Sequence, residues 1–319
     1  MEPMLLKPAG KDYLWGGNRL NLEYEKNIKM TPLAESWECS IHPEGPSIIA
    51  SGSFKGLTLK QVLDKHPGYL GSKANGAMPI LIKFIDAGQN LSVQVHPDDT
   101  YAKENEGDNG KTEMWYVLDA LPDSSIIYGF THDITKEQLL ASLKNGNFEK
   151  HLQKVPIRKG DVFFVPAGMV HAIGAGALIA EIQENSNVTY RIHDYGRLEK
   201  DGSPRDLHIE KAMNVMQMKA ASPVRRHIRM VRYYPGCSRE LLCRCQYFET
   251  ERIQLRMEAS FSVKDTSFQV LLCIDGCGQI ETGHSHKPLM FKKGNCIFLP
   301  AGIGRCHIAG SVELLKIRC

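Results

Sequence analysis

The sequence lacks several features that mark whole classes of protein. Its net charge is only +3 over 319 residues, and it has no long run of lysine and arginine, so its charge does not indicate a nucleic-acid partner. Nine cysteines are present, but no two are spaced as CxxC, which argues against a zinc ribbon or knuckle. The cysteines are therefore predicted to be reduced thiols, as in a cytoplasmic protein.

Segments that would direct the chain to a membrane are also missing. The first three residues, Met-Glu-Pro, show neither the basic nor the apolar region of a signal peptide. Residues 162–180 contain no charged side chain and approach the length of a membrane span, but Pro166, Gly168 and Gly174 interrupt them. Two buried strands joined by a bend explain this stretch better than a membrane helix. We therefore expect a cytoplasmic protein without a membrane partner.

The sequence does contain a distinctive bend before His171. Gly160 is followed after five residues by Pro166, and Gly168 stands between that proline and the histidine. Residues 162–165 are β-branched and aromatic, which predicts a short strand. The proline and glycine predict a tight bend that brings His171 to the start of the next strand. This arrangement suits one ligand of a metal inside a small β-barrel, and a buried core histidine is the alternative.

A second strand offers further candidate ligands. In residues 91–96 the side chains alternate, so Ser92, Gln94 and His96 are predicted on one face, and Leu91 with two valines on the other. A face of uncharged polar residues is unusual in contact with solvent. It predicts either the lining of a barrel cavity or an ordinary half-exposed strand.

A third predicted strand, residues 111–118, places Lys111 and Glu113 on one face. Four residues then offer imidazole, amide and carboxylate donors: Gln94, His96, Glu113 and His171. Two imidazoles and one carboxylate suit a divalent metal such as zinc, and the lack of a cysteine argues against a closed structural site. One zinc ion per chain is expected. Lys111 and Arg191 favour an anionic substrate with phosphate or carboxylate oxygens, with ion pairs to nearby acids as the alternative.

The bend before His171 has a second copy near the end of the chain. Residues 294–305 repeat its spacing, with Arg305 at the position of the histidine. This internal repeat predicts two barrels related by duplication, the second without its metal residue. Domain boundaries are predicted at 1–229 and 230–319, with a basic segment as the link. His284 and His286 are interpreted as a surface turn.

The residues of this constellation also resemble a known family. Four runs match in order: 91–97, 111–114, 166–172 and 187–191. They resemble type I mannose-6-phosphate isomerases, particularly the shorter bacterial form, and the likeness extends over residues 1 to about 220. It implies a mainly β fold of two cupin-type (jelly-roll) barrels in tandem, the second degenerate. A small helical insertion is expected in the first barrel at about residues 98–155.

The resemblance implies roles for individual residues and a reaction. Gln94, His96, Glu113 and His171 would hold zinc, Ser92 and Lys111 would lie in the sugar-phosphate pocket, and Arg191 would be the catalytic arginine. The implied reaction interconverts mannose 6-phosphate and fructose 6-phosphate, with a proton moving between C2 and C1 through a cis-enediol. The expected partner is the small sugar phosphate, and the expected state is a monomer or weak homodimer.

One position departs from the family pattern. Many members carry Asp four residues before the arginine, whereas this chain has Asn187. The general base therefore stays open among His193, Glu181, Glu184 and a metal-bound water. Two other functions stay open as well. Asn187 favours a non-catalytic sugar-phosphate-binding cupin, whereas an iron-dependent cupin oxygenase is disfavoured by Gln94, because a fourth ligand occupies a position that O2 needs.

Overall fold

The fold is mainly β, as predicted. In this computed structural model, residues 1–199, 201–222, 230–283 and 287–319 are described. The predicted basic link at 225–229 and the turn at His284 and His286 lie outside these ranges. In the described part of the chain, no helix is long and apolar enough to cross a membrane.

Most elements are strands, with five α-helices of six to nine residues among the described elements. The first strands are β1 (Met4–Lys7), β2 (Ala9–Lys11), β3 (Glu35–Cys39), β4 (Ile48–Ile49), β5 (Ile80–Asp86), β6 (Val93–Val95), β7 (Glu113–Ala120), β8 (Ser125–Phe130), β9 (Leu152–Pro156), β10 (Val162–Val165), β11 (His171–Ile173), β12 (Ala177–Glu184) and β13 (Tyr190–His193). The later strands are β14 (Val231–Tyr234), β15 (Cys237–Arg244), β16 (Glu249–Leu255), β17 (Glu258–Val263), β18 (Gln269–Thr282), β19 (Leu289–Lys292), β20 (Cys296–Leu299) and β21 (Gly304–Arg318). The α-helices are α1 (Arg19–Tyr24), α2 (Leu59–Lys65), α3 (Asp99–Asn105), α4 (Lys136–Lys144) and α5 (Ile209–Val215), and 3-10 turns occupy Pro67–Leu70, Ser72–Ala74 and Phe148–His151.

The helices begin where the sequence offers capping residues. Thr58 caps α2 and Thr135 caps α4, each through a box in which the glutamine three residues later returns a hydrogen bond. Asp98 is the N-cap of α3 and accepts a hydrogen bond from the backbone N–H of Tyr101 at 2.9 Å. The range 98–155, predicted as a helical insertion, contains strands β7 and β8 as well as α3 and α4.

Two sheets face each other in the N-terminal lobe, the name used here for the six-stranded and five-stranded sheets. Their strand orders are β10–β7–β12–β5–β3–β2 and β13–β6–β11–β8–β9. One buried cluster joins them: Ile85, Trp115 and Ile179 come from the first sheet, and Ile126 and Ile173 from the second. The inner faces of these two sheets also carry the polar residues of the candidate site.

The C-terminal lobe is built on a ten-stranded sheet. Its order is β14–β15–β16–β21–β18–β20–β1–β4, with β17 paired to β21 and β19 to β18. The N-terminal strands β1 and β4 thus extend this sheet, so the predicted boundary at 229/230 divides the sequence but not the sheet. A large buried cluster lies between the lobes and contains Phe84 and Tyr116 from one with Phe268 and Leu315 from the other.

The two copies of the bend adopt the same backbone conformation. Gly160 and Gly294 have φ angles of 85° and 88°, and Gly168 and Gly302 have 83° and 77°, a region that favours glycine. A Cβ on Gly168 would lie 2.9 Å from a backbone carbonyl oxygen. Glycine is therefore required there for the bend to bring His171 to the start of β11.

Candidate active site

One row across the five-stranded sheet places three predicted site residues side by side. Gln94 in β6 pairs with His171 in β11 and with Arg191 in β13. Paired residues on neighbouring strands share a face of the sheet, and this face points toward the six-stranded sheet. Gln94 Nε2 lies 3.5 Å from His171 Nε2. The bend after β10 therefore delivers His171 to its predicted neighbour.

Glu113, the first residue of β7, faces this row from the opposite sheet. Its Oε1 lies 3.2 Å from His96 Nε2, and its Oε2 lies 3.9 Å from His171 Nε2. Each of the three residues is only 1% exposed, and their ligand atoms lie within 4.8 Å of one another. Among the described residues, no other group of three His, Cys, Asp or Glu side chains has this spacing.

The protonation states of this cluster are those that metal binding requires. Burial, reinforced by the charge of Lys111, lowers the pKa of His96 to about 3, and burial also lowers the pKa of His171. Both imidazoles are therefore neutral near pH 7, so neither forms an ion pair with Glu113. Burial is the largest single influence on Glu113 and opposes its ionisation. The Lys111 ammonium, 3.0 Å from Oε1, acts together with the neighbouring His96 and His171 to hold the pKa of Glu113 well below its usual range.

Hydrogen bonds orient the donors before any metal binds. His171 Nδ1 donates to the carbonyl oxygen of Met169 at 2.8 Å, which leaves the lone pair of Nε2 facing Glu113. Trp115 Nε1 donates to Glu113 Oε2 at 3.0 Å, and the Trp115 ring packs edge-on against His171. Two neutral imidazoles and one oriented carboxylate fit a divalent cation.

A cavity of about 260 Å³ opens beside the cluster. Gln94 and Lys111, which contact the cluster, form part of its wall. This volume lies just below the roughly 300–1,000 Å³ of pockets for drug-sized molecules, so it suits a smaller ligand. The charged lining residues are Glu35, Lys83, Lys111, Glu181, Arg191 and Arg205. Four cations against two carboxylates favour an anionic ligand.

The β6 region shows one correct and one wrong prediction. Ser92 lines the cavity as expected, with its Oγ 3.5 Å from Gln94 Oε1. Leu91 lines the same cavity, so its predicted place on the opposite face is wrong. The reason is that β6 begins only at Val93, and residues before a strand do not follow its alternation.

Three buried charges of the six-stranded sheet also line the cavity. Lys83 Nζ lies 3.5 Å from Glu181 Oε1 and 3.7 Å from Glu35 Oε2. Trp115 Nε1 donates to Glu181 Oε2 at 2.9 Å. Burial, followed by the charge of Glu113, raises the pKa of Glu181 to about 7. Lys83 and Glu35 were not predicted as site residues. The available signal was an isolated charge inside a strand that is otherwise buried.

Only one of the three carboxylate and imidazole candidates for the general base lies at the cavity. Glu181 lines it, whereas Glu184 and His193 do not. Glu184 accepts a backbone N–H from Thr112 at 2.7 Å. His193 Nε2 lies 3.6 Å from Glu149 Oε1. The structure therefore separates these candidates by position.

Arg191 and Asn187 both line the cavity. Arg191 is placed there by the pairing of β13 with β6. Arg191 Nη1 donates to the carbonyl oxygen of Asp206 at 2.7 Å, and its buried Nε has no hydrogen-bond partner among the described residues. Asn187 Nδ2 donates to Glu44 Oε2 at 2.8 Å. The carboxylate of Glu44 is thus hydrogen-bonded to the residue at the position where many family members have Asp.

The second copy of the bend leads to a different environment. Arg305 lies near the start of β21, and its Nη2 donates to Ser260 Oγ at 3.4 Å. In the portion of the C-terminal lobe that the structure describes, no metal-binding group like that of His96 occurs.

Comparisons with known proteins agree on one family. Residues 4–130 match the model of the type I phosphomannose isomerase catalytic domain, and residues 239–319 match that of the mannose-6-phosphate isomerase cupin domain. Mannose-6-phosphate isomerase ManA of Bacillus subtilis is 36% identical over 315 residues, which cover 98% of each chain. This chain belongs to the type I phosphomannose isomerase family.

Other members of the type I phosphomannose isomerase family support the same assignment. The mannose-6-phosphate isomerase of Streptococcus mutans is 35% identical over 317 residues, covering 98% of this chain and 97% of that one. The crystal structure of the Bacillus subtilis mannose 6-phosphate isomerase matches with a TM-score of 0.91 at 34% identity, over 99% of both chains. The resemblance noted in the sequence is confirmed.

Proposed function

We propose that this chain is a zinc-dependent isomerase that interconverts mannose 6-phosphate and fructose 6-phosphate. The observation that carries the proposal is the buried cluster of His96, Glu113 and His171 beside a cavity with an excess of positive charge. Relatives that share about a third of their residues over the full chain are named for this activity. A sugar phosphate is small and anionic, as the cavity requires.

One zinc ion per chain would be held by His96, Glu113 and His171, with Gln94 as the fourth ligand. This set contains no thiolate, unlike the cysteine-rich sets of closed structural zinc sites. Here the Lys111 ammonium contacts both His96 Nε2, at 3.3 Å, and Glu113 Oε1, at 3.0 Å, so the cluster attracts positive charge. When bound, zinc supplies a Lewis acid for the carbonyl and hydroxyl oxygens of the sugar.

The remaining predicted residues bind and stabilise the sugar. Ser92 offers a hydroxyl and Lys111 an ammonium group at the cavity wall. Arg191 is the catalytic arginine in this proposal, because its guanidinium can stabilise the negative charge that develops on the enediol oxygens. Its buried Nε lacks a partner among the described residues, and a substrate oxygen would satisfy that donor.

Glu181 is proposed to carry the proton between C2 and C1. Its carboxylate lines the cavity, Trp115 orients one oxygen, and Lys83 Nζ lies 3.5 Å from the other. The carboxylate would take the proton from one carbon and, once protonated, return it to the neighbouring carbon. Lys83 favours the charged form of Glu181 that accepts the proton.

The two lobes are proposed to be tandem cupin-type barrels, residues 1–229 with the metal site and residues 230–319 without it. The matching φ angles of the two bends support a duplication. Arg305 at the position of His171 accounts for the loss of metal from the second copy. The second barrel would then cover and stabilise the first.

A coupled assay tests the proposal. Fructose 6-phosphate formed from mannose 6-phosphate is followed before and after chelation, with metal content measured in the same samples. Activity should disappear with zinc and return when zinc is added back. His171→Ala should lose most of the bound metal and nearly all activity. Arg191→Ala should keep the metal and lose mainly turnover.

The outcomes separate this function from the alternatives. A chain that holds about one metal and binds the sugar phosphate without turning it over would be a binding protein, the reading that Asn187 favours. Activity that requires iron and consumes oxygen would instead identify an oxygenase. Unchanged turnover in Arg191→Ala would reject the catalytic role of that arginine.

A further inference from the structure

The mouth of the cavity carries an arginine that has no role in the reaction as proposed above. Arg205 lines the inner cavity and also an outer pocket of about 460 Å³. Tyr13 is the other residue common to both linings. Gln94 and Lys111, next to the metal-binding cluster, line only the inner cavity. Arg205 therefore lies at the passage between the outer pocket and the reaction site.

The guanidinium of Arg205 is held along one edge and open along the other. Its Nε donates to Asp194 Oδ2 at 2.8 Å, and its Nη2 donates to Asp194 Oδ1. The Arg205 side chain is 10% exposed and that of Asp194 is 6% exposed, so the pair is well packed. Nη1 donates no hydrogen bond to any residue in the described ranges. A fixed guanidinium with a free edge is prepared to bind an anion.

A second arginine on Asp194 offers a contrast. Arg197 uses Nε for the carbonyl oxygen of Asp194, Nη2 for its carboxylate and Nη1 for the carbonyl oxygen of Asn90. It does not line the cavity. The three nitrogens of Arg197 are thus occupied by the protein, whereas Arg205 has an unused nitrogen at the passage.

The two lysines of the cavity already have carboxylate partners near the reaction site, and Arg191 is assigned to the enediol oxygens. Lys83 lies between Glu35 and Glu181, and Lys111 is paired with Glu113. In an open-chain hexose 6-phosphate, C1 and C2 lie at one end and the phosphate at the other. With the reacting carbons beside the metal-binding cluster, the phosphate extends toward the passage.

We propose that Arg205, positioned by Asp194, binds the phosphate group of the sugar phosphate and makes the site selective for phosphorylated over neutral sugars. This inference rests on the proposed function, since it takes the substrate and its orientation from there. It assigns Arg205 to binding, and leaves the proton transfer to Glu181 and the stabilisation of the enediol oxygens to Arg191.

Binding of two probes that cannot be isomerised tests this role: mannitol 6-phosphate and mannitol, measured by calorimetry on the zinc-loaded protein. Arg205→Gln should weaken mannitol 6-phosphate roughly 10- to 100-fold, as expected for loss of a charge-assisted pair of hydrogen bonds, and leave mannitol unchanged. The KM for mannose 6-phosphate should rise by a similar factor, with kcat within about threefold. Arg158→Gln, which removes the same charge from a side chain that is 65% exposed, should change neither probe.

Two further variants guard against a folding defect and test the positioning. Arg205→Lys keeps the positive charge but loses the planar pair of N–H donors of the guanidinium. Its affinity for mannitol 6-phosphate should therefore lie between those of wild type and Arg205→Gln. Asp194→Asn should give the same phosphate-selective loss. A loss that affects both probes equally would indicate general disruption and would reject the positioning role of Asp194. Thermal melting is recorded for each variant.

The proposal is overturned if Arg205→Gln leaves mannitol 6-phosphate binding unchanged. It is also overturned if Arg197→Gln loses phosphate selectivity while Arg205→Gln retains it. Failure of the proposed function has a different signature. A wild-type protein that binds mannitol 6-phosphate through Arg205 but shows no turnover would reject the isomerase while supporting the binding role.

Discussion

A buried ion pair lies where the two lobes meet, and removing its cation should strongly destabilise the protein. Lys26 follows α1, and its Nζ lies 2.6 Å from Glu38 Oε1, with side-chain exposures of 3% and 0%. Lys26 also donates to the carbonyl oxygen of Gly294 in the other lobe and lies 4.6 Å from the centre of the Phe84 ring. Ser36 Oγ donates to Glu38 Oε1 at 2.6 Å. The ammonium group of Lys26 therefore contacts two oxygen atoms and one aromatic ring inside the protein.

The size of the destabilisation follows from the Glu38 charge that stays buried when Lys26 is replaced. Lys26→Met keeps a long flexible side chain but removes the charge, so Glu38 stays buried without a counterion. The attraction across 2.6 Å is about 6 kcal/mol at an effective dielectric constant of about 20. Part of it is offset because the unfolded chain hydrates both groups. Breaking a buried pair typically costs about 3–5 kcal/mol, a large part of the roughly 5–15 kcal/mol that stabilises a domain.

Urea unfolding followed by tryptophan fluorescence measures this loss. Lys26→Met should lower the free energy of unfolding by about 3–5 kcal/mol. The double variant Lys26→Met/Glu38→Gln removes both charges and should recover to within about 1–2 kcal/mol of wild type. Lys60→Met is the matched control, because Lys60 and Asp64 are 2.8 Å apart but 54% and 60% exposed. It should change stability by less than about 0.5 kcal/mol.

The pH dependence gives an independent check. Burial raises the pKa of Glu38 even with Lys26 beside it, and loss of Lys26 should raise it further. Stability linked to a raised pKa is present below the unfolded value and is lost as pH rises through the folded value. The loss of unfolding free energy in Lys26→Met, relative to wild type, should therefore be smallest in acid and increase toward neutral pH. A variant within about 1 kcal/mol of wild type at neutral pH, or a deficit that does not vary with pH, would refute this reasoning.

Two further predictions test the site and the lobes. Glu181→Gln should keep its metal and bind mannitol 6-phosphate, but lose at least about 100-fold in kcat in the coupled assay; an unchanged kcat would place the base elsewhere. Deleting residues 230–319 should prevent folding, because it uncovers Phe84 and Tyr116 and removes the strand that pairs with β1. Circular dichroism and activity of the fragment check this, and full activity with unchanged stability would contradict it.

Local patterns in the sequence were sufficient for many individual elements. The β-branched run that became β10 and the proline–glycine bend before His171 depend on neighbouring residues only. The strand before His96 shows the limit of such patterns. Its alternation was correct from Val93 onward, but Leu91 lies before the strand begins, and a boundary depends on pairing with residues far along the chain.

The candidate site was predictable only where the spacing of residues along the sequence indicated it. The bend before His171 and the alternating strand of Gln94 identify ligands because both signals are local. Lys83, Glu35 and Arg205 emerged only from long-range register and from a loop that returns to the cavity mouth. A lone charge in a buried strand shows that a partner exists, but it does not say which strand supplies that partner.

The cations of this cavity fall into two groups. The lysines form ion pairs with carboxylates of the protein, whereas two arginines keep a nitrogen that can bind a ligand. Lys83 and Lys111 are neutralised by carboxylates and so fix the arrangement of Glu181 and Glu113. Arg191 and Arg205 each keep a nitrogen without a partner in the described ranges. The Nε of Arg191 is buried, and a buried donor without a partner is costly unless a ligand satisfies it. Oxygens of the sugar phosphate that reach both arginines would therefore hold the molecule at two points, with its reacting carbons beside the metal-binding cluster.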